Sequence, residues 1–285
     1  MSYENLTLGQ KVTLACMLEV SAPKPGNVHR GADFEDLTFY DFIQSAAAIG
    51  PVFDRYDELR LGELIFLAVE ATQTVVATNT NLGLILLMAP LAKAMPLNAA
   101  GIQEMFSVLD SQDADCVYRA ISKAQPGGLG EVDDMDLAEQ APTSLLDAME
   151  HAKERDLIAA QYVNGFHDVL SVAAPKLREY QLAGLSQVDA IVRTHVELMS
   201  IYPDSLIARK CGKEVAQEAS SRAAAVLEQL VSGEEAYVTA LADLDFWLRT
   251  DGHRRNPGTT ADIIGAALLV GLIEGWLEPP VDFQR

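Results

Sequence analysis

The chain has 285 residues, 49% of them hydrophobic and 7% aromatic, with a formal net charge of −20. That is ample apolar material for a core, and abundant Ala and Leu with few aromatics favour helix packing over sheet. So acidic a chain repels nucleic acid and anionic lipid, and neither is expected as a partner.

Val12, Ala15, Met17 and Leu18 mark a first helix, ended by Pro23 and Pro25. Thr38 precedes a second, and Asp41 three residues on completes a capping-box pattern. A third is expected over 62–78, with Ile65, Ala68, Val69 and Thr72 on one face. The Asn-Thr-Asn run at 79–81 interrupts, and helix resumes over 82–93. Further helical patterns cover 101–109, 113–123, 143–173, 188–200, 205–230, 234–249 and 260–276. No stretch alternates as a strand, and no linker or internal repeat divides the chain. The expectation is all-α: a single compact multi-helix domain over residues 1–285.

Cys16, Cys116 and Cys211 lie far apart with no CxxC among them, which suits buried, reduced thiols. The N-terminal MSYENLTLGQK has no basic-then-apolar leader. The longest apolar runs, 82–92 and 263–273, fall short of the ~20 residues of a membrane span and read as core helices. A cytoplasmic protein with no membrane partner is expected.

The chemistry gathers in the breaks between helices. Five stand out: PKPGNVHRGADFED (23–36), TNTNLG (78–83), QPGGLGEVDDMD (125–136), YPDSLIARKCG (202–212) and HRRNPGTTAD (253–262). Each mixes Gly or Pro with charge or amides at a helix end, and helix N-termini suit phosphate. Lys24, Arg30, Arg209, Lys210, Arg254 and Arg255 sit in them; in so acidic a chain a small-molecule phosphate needs such a local cluster, a divalent metal, or both. Local pairing is the alternative, as for Lys210 with Glu214 four residues on.

Asp33, Glu35, Asp36 and Asp41 form one acidic group, and Asp133, Asp134 and Asp136 a second. Either can supply the one or two carboxylates Mg²⁺ takes beside phosphate and water, although Asp41 reads better as a cap. Thr259 or Thr260 either caps the next helix, with Asp262 closing a capping box, or helps that helix start receive a phosphate. Asn79 and Asn81 either cap the helix over 82–93 or contact a base or ribose. PGGLGEV is neither a GxGxxG nor a P-loop, and no strand precedes it. His151, His167 and His195 lack metal spacing, and no GxSxG occurs.

Taken together and in order, LEVSAPKPGNVHRGADFEDLTFYDFIQSA, TNTNLGLILLMAPLA, GGLGEVDDMD, PDSLIARKCG and NPGTTADIIGAAL resemble the motif blocks of the triphosphoribosyl-dephospho-CoA synthase family, over residues 18–268. The resemblance implies an all-helical enzyme that joins ATP to 3′-dephospho-CoA and releases adenine, making the precursor of an acyl-carrier-protein prosthetic group. The family pattern carries over onto Lys24, Pro25, Gly26, Arg30 and Asp36; Asn79, Asn81 and Gly83; Gly128, Leu129, Gly130 and Asp136; Asp204, Ala208, Arg209, Lys210 and Gly212; and Asn256, Pro257, Gly258, Thr259, Thr260, Ala261 and Asp262. The first block is shortened and lacks a histidine that usually precedes its aspartate. Ser205 and Leu206 stand where family members often carry a Thr-His pair.

The implied reaction is glycosyl transfer at C1′ of the ATP ribose, with positive charge building on the ring. Asp33, Asp36 and Asp136 are the expected catalytic carboxylates, and Asp36 and Asp136 the expected Mg²⁺ ligands. Lys24, Arg30, Arg209 and Lys210 would hold phosphates, Thr259, Thr260 and the adjacent N–H groups the triphosphate or pyrophosphate, and Asn79 and Asn81 the base or ribose. ATP and dephospho-CoA, or a related nucleotide, are the expected small-molecule partners, and a homodimer is compatible. The alternatives are a divergent Mg²⁺-dependent phosphoribosyl enzyme and a non-catalytic nucleotide-binding protein. All of these require the distant breaks to line one cleft.

Overall fold

The computed structural model describes residues 3–124 and 144–278. Among them it is built of helices, with no strand. The first half comprises α1 (Leu8–Ser21), α2 (Phe39–Phe53), α3 (Leu61–Gln73), α4 (Leu82–Lys93), α5 (Ala99–Phe106) and α6 (Ser111–Ala124). The second comprises α7 (Leu145–Ala152), α8 (Leu157–Asn164), α9 (Ala174–Leu182), α10 (Gln187–Ile201), α11 (Ser205–Cys211), α12 (Lys213–Glu228), α13 (Glu234–Arg249) and α14 (Gly258–Glu274).

Local chemistry accounts for most boundaries. Thr38 and Asp41 form the expected capping box on α2: the Asp41 N–H donates to the Thr38 hydroxyl, and the Thr38 N–H to the Asp41 carboxylate at 2.8 Å. α4 spans the residues its pattern predicts. The helix expected over 143–173 is instead three pieces. Asp156 accepts the N–H groups of Ile158 and Ala159 and so starts α8, and Gly165 ends it in the left-handed region at φ 69°. A π-helical turn, Asp168–Ala173, then runs into α9. The helix expected over 205–230 is likewise cut at Gly212, whose φ of 95° no right-handed helix accommodates. No capping box forms between Thr259 and Asp262, because α14 starts two residues earlier, with Pro257 at its cap position.

A contiguous set of buried apolar side chains runs from α1 to α14. α14 is at its centre: from Thr259 to Leu272 every residue but Asp262 is buried. It packs on α1, α4, α8, α9, α10, α11 and the π turn. A helix apolar all round belongs in a core, and Gly265 and Ala266 let its neighbours approach: Leu84 occupies the space a side chain at 265 would need. α1 and α2 cross as closely, Gly9 against the Gly50 carbonyl, with Asp54 accepting the Gly9 N–H at 2.8 Å. Among the described residues no helix is long and apolar enough to cross a membrane.

Candidate active site

Four of the five breaks meet in a cleft of about 590 Å³ beside the first turn of α14. α1 gives Glu19, the loop after it Asn27 and Asp36, and the start of α4 Asn79, Asn81 and Gly83. α11 gives Arg209 and Lys210, and the last break Asn256, Gly258, Thr259 and Asp262. Gly128, Leu129, Gly130, Asp133, Asp134 and Asp136, in the remaining break, lie outside the described residues.

The convergence is held by bonds between distant segments. Asn27 donates its amide to Asn256 at 2.6 Å, joining the first break to the last. Asp204, buried beneath the floor, accepts the Leu206 and Ile207 N–H groups as the cap of α11. Its second oxygen accepts both the N–H and the hydroxyl of Thr260, each at 2.8 Å. Ser205 donates to the Thr259 hydroxyl at 3.0 Å and accepts the Leu157 N–H, tying α11 to α14 and α8. The Arg209 guanidinium reaches Asp156 at 2.5 Å, and Asp156 also caps α8. Neither Asp204 nor Thr260 is thus open to a ligand; the pair sets the floor.

Several expected site residues stand elsewhere. Lys24 is fully buried behind the cleft, its ammonium on the Glu19 carboxylate at 2.8 Å and the Glu19 carbonyl at 2.5 Å. Gly26, at φ 76°, gives its N–H to Asp245 and packs against Leu248 and Pro257, where a side chain has no room. Arg30 is exposed outside the cleft lining. Asp33 is exposed too, and its carboxylate accepts the Phe39 N–H at 2.6 Å, which is a helix-start role on α2.

Asp36 stands exposed at the cleft mouth, with His253 Nδ1 3.2 Å from its carboxylate. Asn79 accepts the Leu82 N–H and starts α4. Asn81 accepts from the Thr72 hydroxyl at 3.1 Å, but its amide nitrogen has no partner among the described residues, although Asn81 is only 5% exposed. Burial lowers the pKa of Lys210 and the nearby Asp36 opposes the shift. Desolvation raises Asp262 well above the ordinary carboxylate range, helped by Glu19, Asp204 and Asp156 and opposed by Arg209.

Glu19, Asp156, Arg155 and His253 also line the cleft, and the sequence assigned none of them a site role. Asp156 did carry a signal, an acid just before an apolar run, which is an N-cap pattern. Glu19 carried none within a helical repeat. Among the described residues no three of His, Cys, Asp and Glu gather closely enough to hold a metal. Magnesium therefore fits here only with phosphate and water as most of its ligands, Asp36 being the exposed carboxylate at the mouth.

The scaffold is all-helical among the described residues, and cations, carboxylates and amides from separate helix ends gather in its cleft, the kind of lining that suits a phosphorylated small molecule. A family model described as ATP:dephospho-CoA triphosphoribosyl transferase matches residues 5–280, and the chain belongs to that family. It is similar to a crystal structure named for a triphosphoribosyl-dephospho-CoA synthase from Archaeoglobus fulgidus, with 26% identity and a TM-score of 0.64 over 82% of this chain and 99% of that one. No curated protein sequence matches.

Proposed function

We propose that the enzyme transfers the triphosphoribosyl group of ATP to the 2′-hydroxyl of 3′-dephospho-CoA, releases adenine, and so supplies an acyl-carrier-protein prosthetic group in the cytoplasm. The observation that carries this reading is the meeting of Asp36, Asn81, Arg209, Asn256, Thr259 and Asp262 in one cleft. Arg209 and Lys210 hold phosphates, with Gly258 and Thr259 of the first turn of α14 beside them in the cleft lining. Asn79 and Asn81 face the base or ribose. The apolar core from α1 to α14 supports one domain carrying the whole site.

Asp36, with Asp136 as second ligand, would hold the Mg²⁺ that accompanies the triphosphate, where it would neutralise phosphate charge. The cleft residues must hold the triphosphate without cleaving it while C1′ changes partners. Carboxylates set beside the ribose stabilise the positive charge that develops there. Leu206, an apolar side chain of the cleft lining where relatives often carry histidine, favours a second reading in which the acceptor is a different nucleotide.

The test is incubation with ATP, Mg²⁺ and dephospho-CoA, or other nucleotide acceptors, followed by mass analysis. Free adenine together with the triphosphoribosyl adduct is expected. Adenine formed only with another acceptor would select the second reading, and no adenine with any acceptor would overturn both.

A further inference from the structure

Two carboxylates in the cleft wall have opposite surroundings. Glu19 has a dedicated cation, Lys24, on Oε1, and among the described residues nothing binds Oε2. Asp262 has neither hydrogen bond nor ion pair among the described residues. The two are close in the fold. Glu19 Cγ lies 3.5 Å from where a side chain at Gly265 would begin, and Gly265 is one turn along α14 from Asp262, on the same face. Asp262 Oδ2 occupies the space a Cβ at Gly83 would need, which pins the carboxyl against the start of α4. Two residues before Gly83 is Asn81, with its buried, unpartnered amide nitrogen. A nucleobase seated at the start of α4 thus meets a free amide donor and a carboxyl with no other occupation.

We propose that Asp262 is the general acid that protonates the departing adenine, and that Glu19, positioned by Lys24, takes the proton of the acceptor hydroxyl. This rests on the triphosphoribosyl-transfer reading. As the C1′–N9 bond breaks, its electron pair goes to the purine and the Asp262 proton moves to N7, so neutral adenine leaves. The acceptor oxygen forms the new bond to C1′ and its proton passes to Glu19. The Glu19 proton is then lost to solvent and Asp262 regains one, which closes the cycle. The groups facing Asp262 agree with the acid role: burial first, then Glu19 from α1, Asp204 beneath the floor and Asp156 at the start of α8 favour its protonated form, Arg209 from α11 opposes them, and the buried Cys16 thiol of α1 is uncharged. Gly83 and Leu84 of α4 bring no charge. Two carboxyl groups in unlike surroundings are a recurring way to divide acid and base work.

The test compares ATP with 7-methyl-ATP, whose methylated purine departs without a proton. For Asp262→Asn, kcat on ATP should fall roughly 10²–10⁴-fold, with KM and ATP binding little changed, while kcat on 7-methyl-ATP stays near the wild-type value. In the wild type, kcat on ATP should fall as pH rises through the Asp262 pKa, and that limb should vanish with 7-methyl-ATP. The wild-type comparison decides the matter even if the variant fails to fold. Equal losses on both substrates, or the same alkaline limb on both, would overturn the acid role alone. A wild type that releases no adenine from ATP under any condition would overturn the transfer reading and this inference with it.

Discussion

The Asp204 carboxylate accepts the backbone N–H and the hydroxyl of Thr260, each at 2.8 Å, while its other oxygen caps α11. One buried side chain therefore sets two helix starts that both face the substrate cleft. Asp204→Ala should cost about 2–5 kcal/mol, from one lost cap and two stranded donors. Urea unfolding measures it, and a loss below about 1 kcal/mol would mean that the two starts hold each other without it.

Lys24 and Glu19 form an ion pair with both side chains out of solvent. Removing one partner strands the other charge, so Lys24→Met should destabilise by about 3–5 kcal/mol. Adding Glu19→Gln should recover part of that loss. A double-mutant cycle in urea reads the coupling, and purely additive effects would contradict it.

Arg209 bonds Asp156 from the side of the cleft where phosphates are proposed to sit. Arg209→Ala should raise KM for a phosphorylated substrate about 10–100-fold, the loss of one or two bonds to a charged group. Steady-state adenine release measures it. A KM left at the wild-type value would take Arg209 off the binding surface.

His195 is fully buried in α10, and desolvation, with Lys24 nearby, lowers its pKa well below 6.5. It is neutral in the native state, whereas the unfolded chain takes up a proton near the ordinary value. Its contribution to stability is thus present above about pH 6.5 and is lost as pH falls, by up to ~1.4 kcal/mol per pH unit. Asp204 and Asp262, with raised values, act in the opposite sense, their share declining as pH rises from the ordinary carboxylate range. His195→Leu should flatten the acid side of the stability profile between about pH 6.5 and 5. Parallel wild-type and variant profiles would refute this.

Some short-range chemistry was legible in the sequence where one segment contained the whole device. Thr38 with Asp41 and the bounds of α4 are examples, although the capping box expected of Thr259 and Asp262 did not form. The helix over 143–173 was misread because its periodicity continues through Asp156 and Gly165, and only cap geometry breaks it. Four of the five breaks border one cleft, but a cation in a break says nothing about its burial. Lys24 turns inward because Glu19, five residues earlier, is out of helical register with it and is reached only through the turn at Ala22 and Pro23. Glu19 itself became visible as a cleft residue only when α1 was laid against α14. The Asn27–Asn256 bond, 229 residues apart in sequence, is of the same kind.

The floor of the cleft and the centre of the core are one helix, α14. A change of residue there is felt by the packing of seven neighbouring elements as well as by the ligand. The more exposed lining residues His253 and Arg155 carry no such burden. Evolution toward new acceptors on this scaffold should accordingly proceed by replacement around the opening, with the base of the cleft inherited nearly unaltered.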